Sequence, residues 1–415
     1  MEKAQRSFPL HQPDHSEPGA HPRRVETGTG TPLPMSTDSP LHVIVISSVR
    51  PEPTSAGQII LHRHLVDQPG ITLEVYGGEP RQPGISRLIR RVVGRLSRTC
   101  LRRWAEDFWV LWEGRWLDRE LRRQVADPRN TLVLTVAHGD AFMAAQRFAR
   151  RHQLPLVALF QDWWPDIAQV HRPIQQALEK GFRNLYRTAG LALCICPGMR
   201  DTLGEHARSY VLYPVPEKLH QKKHASHKKS APFKILYFGN LEDYGPMLGE
   251  VLNASLHCKE VFIEVRGSNP KWPEEMKNVL RGQGRWLDFA PRRELDAWLA
   301  SADAFLVPMS FDPALKRRME TSFPSKISEF AQFGVPLLIW APSYASASIW
   351  CRESGAGLVV ADASPTALLN EAVRLADDTE LWNKLAARVQ HAAAQTFNPE
   401  AIQANFVRFL KSTRP

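Results

Sequence analysis

The chain has 415 residues and a formal net charge of +10. That length exceeds one ordinary core and suits two domains, and no apolar run is long enough to cross a bilayer. Five scattered cysteines are too few for a disulfide framework, and the N-terminus lacks the basic-then-apolar order of a signal peptide, so a reducing cytoplasm is expected.

Residues 1–40 are rich in Pro, His, Gly, Thr and Ser and are read as a disordered extension, with Met35 a natural alternative start. From residue 41 the chain alternates. Strands are expected at 42–48, 71–76, 132–136, 156–160, 191–196 and 210–213, with helical stretches such as 57–65 between most of them. Cys194 and Cys196 fall in one of these apolar runs and read as buried rather than metal-binding. Residues 215–232 are polar, basic and proline-flanked, the composition of a linker. The histidines there stand among lysines, whose ammonium groups oppose a bound cation.

The alternation then restarts, with strands at 233–238, 261–265, 286–289, 304–309, 336–340 and 357–360, and an amphipathic helix at 399–410. Short apolar strands between helices indicate parallel, doubly wound sheets. The expected organisation is a domain over 41–214, a linker over 215–232, a second domain over 233–397 and a C-terminal helix over 398–415. Two such domains face a cleft at the carboxyl ends of their strands, where ligands of open α/β sheets bind.

The most informative run is Thr321-Ser-Phe-Pro-Ser-Lys-Ile-Ser-Glu-Phe330. It follows an expected strand and opens an expected helix ending near Gly334. Ser325 and Lys326 at a helix start suit an anion, through free N–H groups and a full positive charge. Glu329 lies one turn on, on the face of Lys326, where its carboxylate can accept from two sugar hydroxyls. Phosphate at the tip and ribose one turn in outline a nucleoside diphosphate site. The same pattern also describes a capped surface helix with a solvated ion pair.

On these residues the chain resembles retaining glycosyltransferases of the GT-B fold, in particular the large family 4 group (glycosyl transferases group 1), over about residues 41–410. Pro324 to Glu329, followed by Gly334-Val-Pro336 and Pro342, resembles that group's donor segment. Tyr237-Phe-Gly239-Asn240-Leu241 resembles the glycine turn after the first strand of the donor domain, and Ser47 to Gly57 resembles the corresponding acceptor-side loop. The resemblance implies two Rossmann-like domains and a C-terminal helix that crosses back. It implies transfer of a sugar from a UDP- or GDP-sugar to a saccharide or lipid-linked acceptor, with retention, in cell-surface polysaccharide or glycolipid assembly. It implies no metal and no resident cofactor, and the chain has no Asp-x-Asp motif. Two departures stand out. Counting back eight from Glu329, where many relatives carry a first glutamate, reaches Thr321, and Glu320 misses by one. The segment after Gly239 and Asn240 lacks the Arg and Lys of many relatives, leaving Lys326 as the main cation and Arg266 as a second candidate.

His138 follows the strand at 132–136 and resembles a family histidine near the sugar, or else caps the next helix. In Phe160-Gln161-Asp162-Trp163-Trp164, Asp162 is a candidate to orient the acceptor hydroxyl, and Trp163 or Trp164 to stack on a sugar or pack beneath the loop. Gly57, Gln161 and Trp163 complete the acceptor side. Arg90, Arg91, Arg95 and Arg98 lie on an amphipathic stretch followed by Phe108, Trp112 and Trp116, suited either to an anionic membrane surface or to domain packing. No motif supports nucleic acid as the partner of the positive charge. Two other readings are a nucleotide-sugar-binding protein without activity and a GT-B sugar-nucleotide epimerase.

Overall fold

The computed structural model describes residues 40–54, 56–77, 92–96, 99–124, 130–217, 232–239, 241, 243–268, 270–290 and 292–413. The N-terminal extension with Met35, nearly all of the basic linker, Asn240, Arg90, Arg91 and Arg98 lie outside the described residues.

The first half builds a sheet from β1 (Leu41–Ile46), β2 (Ile71–Tyr76), β3 (Thr131–Val136), β4 (Leu156–Phe160), β5 (Leu191–Cys194) and β6 (Ser209–Val211), in the order β2-β1-β3-β4-β5-β6. The second builds β7 (Phe233–Phe238), β8 (Val261–Arg266), β9 (Trp286–Leu287), β10 (Ala304–Pro308), β11 (Leu337–Trp340) and β12 (Gly357–Val360), in the order β12-β11-β10-β7-β8-β9. Every described strand pair is parallel. The central strands β3, β4 and β10 are buried along their whole length, which is why their sequences are continuous apolar runs rather than alternating ones.

This strand order positions the site. The winding reverses between β1 and β3 in the first sheet and between β7 and β10 in the second. Loops leaving the carboxyl ends of those strands therefore open a crevice in each half. The segments concerned hold residues 47–54 and 137–140 on one side, and Gly239, Leu241, Asp243, Tyr244 and 309–324 on the other.

The halves share an apolar core. One buried cluster contains Phe160, Cys196 and Met199 of the first half together with Phe305, Phe323, Ile327, Phe330 and Phe397 of the second. Its hub is aromatic. Tyr213 lies 4.9 Å from Phe323 and 5.6 Å from Phe397, ring centre to ring centre, and Trp350 lies 5.2 Å from Phe397. Full burial of one such side chain contributes about 1.5–3 kcal/mol.

The last helix, Pro399–Ser412, crosses back to the first half. The Asn398 side chain accepts from the Ala401 N–H at 2.9 Å and Pro399 fixes the first helical φ, so the helix starts sharply. Its inner face, Ile402, Phe406 and Leu410, packs with Val43, Val45, Leu61 and Leu132. Phe406 stacks on His64 at 4.3 Å, and Gln403 joins His64 at both its ring and its backbone.

Candidate active site

In the second half, the candidate site is assembled around the turn that follows β7. Gly267 lies so close beneath that turn that a Cβ there would sit 2.5 Å from the Gly239 carbonyl oxygen. Glycine at 267 thus lets two loops touch backbone to backbone. The Gly239 N–H donates to the Arg266 carbonyl at 3.1 Å. Lys326 reaches over the turn, with its Cε 3.6 Å from where a Cβ on Gly239 would stand. Its ammonium lies 3.9 Å from the centre of the Phe238 ring, a cation–π contact.

Lys326 belongs to the helix Ser325–Ala331, which is shorter than the sequence suggested and gives way to a turn at Gly334, where φ is 68°. With seven residues its dipole is small, and the Lys326 ammonium is the main positive feature there. Glu329 lies one turn along. Its carboxylate accepts from the Arg63 guanidinium at 2.6 Å and from the Glu217 N–H at 3.4 Å. Arg63 also donates to the Val215 carbonyl at 2.8 Å and to Glu217 at 3.2 Å. A cavity of about 600 Å³ is lined by Ser325, Lys326, Glu329, Phe238, Arg63 and Glu217, so both halves contribute to it.

Arg266, the second cation expected from the sequence, is directed elsewhere. Its guanidinium pairs with Glu294 at 3.0 Å and covers the Trp298 ring, and the residue is buried. The Thr321 hydroxyl donates to the Arg317 carbonyl at 2.7 Å, and the Glu320 carboxylate pairs with Lys316 at 3.8 Å.

In the first half, His138 stands just beyond the carboxyl end of β3, against the Trp164 ring at 4.0 Å. Burial pulls its pKa down to about 4, so it is neutral at pH 7. Asp140, two residues on, is pushed up by burial to about 6. Gln161 lies against Gly57, where a Cβ would stand 3.1 Å from its side-chain oxygen. Asp162 accepts from the Ser322 hydroxyl of the other half at 2.7 Å. Burial pushes the Asp162 carboxyl above its ordinary range, while Ser322 and Arg318 pull the other way.

Trp163 does not offer a face to a sugar. It is fully buried, its N–H donates to Glu179 at 2.8 Å, and the guanidinium groups of Arg183 and Arg317 lie 5.0 and 4.8 Å from its ring centre. Trp164 is half-buried beside His138, and its indole N–H is buried without a partner.

Several contacts zip the halves together around this cleft. Arg317 grips Asp166 with two N–H groups, the Nε contact at 2.6 Å. The Cys196 thiol donates to the Thr321 carbonyl at 3.3 Å. Gly198 packs so closely that a Cβ would fall 2.1 Å from the Glu320 carbonyl oxygen. Arg63, Glu217, Asp243, Arg318 and Ser322 were not singled out from the sequence, because each gains its place through a partner far away in the chain. Among the described residues, no group of His, Cys, Asp and Glu is placed to hold a metal.

Of the four basic positions proposed for a membrane surface, Arg95 is described and is exposed. Beside it Val92, Leu101, Trp104, Phe108 and Leu111 are exposed, Trp104 to 66%. Phe108, Trp112 and Trp116 stack along the helix Arg102–Leu121 at 5.6 and 6.2 Å. No described helix is long and apolar enough to cross a membrane.

No protein-family model and no curated protein matches the chain by sequence. Solved structures do match in fold. Sucrose-phosphate synthase from Thermosynechococcus elongatus superposes with a TM-score of 0.60 at 12% identity, covering 89% of this chain and 98% of that one. HepE of Anabaena, solved with UDP-glucose, gives 0.58 at 15% identity over 89% and 99%. The N-terminal domain of Candida albicans trehalose-6-phosphate phosphatase gives 0.60 at 10% identity over 93% and 99%. The chain thus has the GT-B fold, two Rossmann-like halves facing a cleft, with the C-terminal helix returning to the first half.

Proposed function

We propose that the chain is a retaining glycosyltransferase that moves a sugar from a UDP- or GDP-sugar to a saccharide or lipid-linked acceptor. The observation that carries this reading is the convergence of Lys326 on the Gly239 turn, with Glu329 one helical turn away, in a cavity shared by both halves. Lys326 meets the diphosphate and Glu329 the ribose hydroxyls. The HepE structure, which holds UDP-glucose in the same fold, supports a nucleotide sugar as the ligand class.

In the reaction, the bond from the anomeric carbon to the phosphate oxygen breaks and its electron pair stays on the phosphate. The acceptor hydroxyl oxygen bonds to the anomeric carbon from the same face. The hydroxyl proton passes to the departing diphosphate. Negative charge builds on that phosphate, where Lys326 is already fixed, and preorganised charge of this kind lowers the barrier. Asp162, held by Ser322, and His138, kept neutral by burial, border the acceptor side and orient the incoming hydroxyl. The charged side chains suffice for this chemistry, with no resident cofactor and no metal. The exposed aromatic and arginine-bearing face seats the protein on an anionic membrane, as suits a lipid-linked acceptor in surface-glycan assembly. The proton coupling of the anomeric centre in the purified product tests the stereochemistry: the donor's configuration is expected, and the opposite one contradicts retention.

A further inference from the structure

A nucleoside diphosphate sugar is a dianion, and its diphosphate gains further negative charge as the sugar leaves. Lys326 supplies one positive charge to that place, and Arg266 is engaged with Glu294 and Trp298. Arg318 lies in the helix Lys316–Thr321, on the chain segment that leaves β10. The strand order sets that segment across the crevice from the Gly239 turn, because β7 and β10 are neighbours. The contacts agree with this placement. Arg318 Nη2 donates at 3.0 Å to Asp243, four residues beyond Gly239 in the same loop. Four residues on in the same segment, the Ser322 hydroxyl donates at 2.7 Å to Asp162, two residues past β4. The Arg318 side chain is 26% exposed, so it is held by its ion pair yet still reachable from solvent. The segment that carries this guanidinium thus touches both the loop after β7 and Asp162. The planar fork of N–H donors on a guanidinium suits a phosphate better than a lone ammonium does.

We propose that Arg318 is the second cation at the diphosphate and binds its sugar-bearing phosphate in exchange for the ion pair with Asp243. This assignment rests on the nucleoside diphosphate reading of the cleft. It predicts a dependence on the second phosphate that a residue serving only the fold would not produce.

The test is calorimetric titration of the full chain with UDP, GDP and the matching monophosphates, in wild type, Arg318→Gln, Arg318→Lys and Asp243→Asn. Arg318→Gln is expected to weaken the diphosphate by roughly tenfold or more while changing the monophosphate by less than about twofold. Arg318→Lys is expected to restore part of the loss, and Asp243→Asn to tighten the diphosphate by freeing the guanidinium. Equal losses for mono- and diphosphate, or no loss for either, overturn the assignment. Wild type that binds neither diphosphate removes the donor reading itself, and Arg318 with it. Wild type that binds normally beside an indifferent Arg318→Gln removes Arg318 alone.

Discussion

Arg63 and Glu329 meet at 2.6 Å across the cleft, one from each half, and each side chain is only about one-fifth exposed, 19% and 21%. The carboxylate that suits a ribose is thus already occupied by a guanidinium. A bound ribose would share this carboxylate with Arg63 and the Glu217 N–H, and competition between them is the expected outcome. Arg63→Ala is expected to raise affinity for the cognate nucleoside diphosphate severalfold and to lower kcat, because a tie across the cleft is lost. Glu329→Gln is expected to weaken nucleotide binding by roughly tenfold, as charge-assisted hydrogen bonds become neutral ones. Calorimetry distinguishes the two. Equal weakening in both variants contradicts the competition.

Lys326→Ala removes the cation fixed where charge develops. Loss of one preorganised transition-state contact typically costs about 10²–10³ in kcat. A fall of that order, with KM for the donor changed far less, is expected from steady-state kinetics. A change confined to KM shows that Lys326 serves ground-state binding only.

Chelation provides a further check. With charged side chains at the phosphate, transfer is expected to survive dialysis against EDTA within about twofold. Loss of activity on chelation, restored by a divalent ion, contradicts the metal-free chemistry proposed here.

Stability should depend on pH through His64. The ring is buried, its Nδ1 pairs with the Gln403 side-chain oxygen at 2.8 Å, and burial pulls its pKa from 6.5 to about 4. The unfolded chain therefore binds a proton between about pH 6.5 and 4 that the folded chain refuses. The contribution of neutral His64 is whole above pH 6.5 and is lost as pH falls towards 4, up to roughly 3 kcal/mol. His138 adds in the same direction. Denaturant unfolding across this range should show the slope, and His64→Leu should flatten it. An unchanged slope in that variant contradicts the assignment.

Much of the fold was legible because buried parallel strands must be continuous apolar runs, and helices between them fix the winding. The shortfalls are local. Only Trp286–Leu287 pairs in β9, and Phe289 stands exposed beyond it. In the site, Lys326 and Glu329 could be read because their spacing places them on one helical face. Arg63, Arg318 and Ser322 could not, since their partners Glu329, Asp243 and Asp162 lie far away in the chain. Trp163 packs beneath the loop, one of the two roles open to it, because of two adjacent tryptophans the sequence does not say which faces the core. Arg266 was misplaced because its partners, Glu294 and Trp298, come from a distant helix.

The membrane proposal has its own test. Each basic residue near an anionic surface contributes on the order of 1 kcal/mol, and salt weakens the attraction. The protein is expected to pellet with anionic liposomes at low salt and less with neutral ones. Replacing Arg90, Arg91, Arg95 and Arg98 with glutamine, or Trp104 with glutamate, should release it without altering nucleotide binding. Equal pelleting of wild type and both variants contradicts the role of this face.

The central claim is that the cleft cleaves the bond between a sugar and a nucleoside diphosphate. Its most direct test is release of UDP or GDP from a panel of UDP- and GDP-sugars, by the wild-type chain and by Lys326→Ala. The expected result is turnover of at least one donor by the wild type, with Lys326→Ala lower by about 10²–10³. Nucleotide binding without release from any donor, with or without saccharide acceptors, would contradict the claim and leave a binding protein. Release that is equal in both proteins would contradict the site.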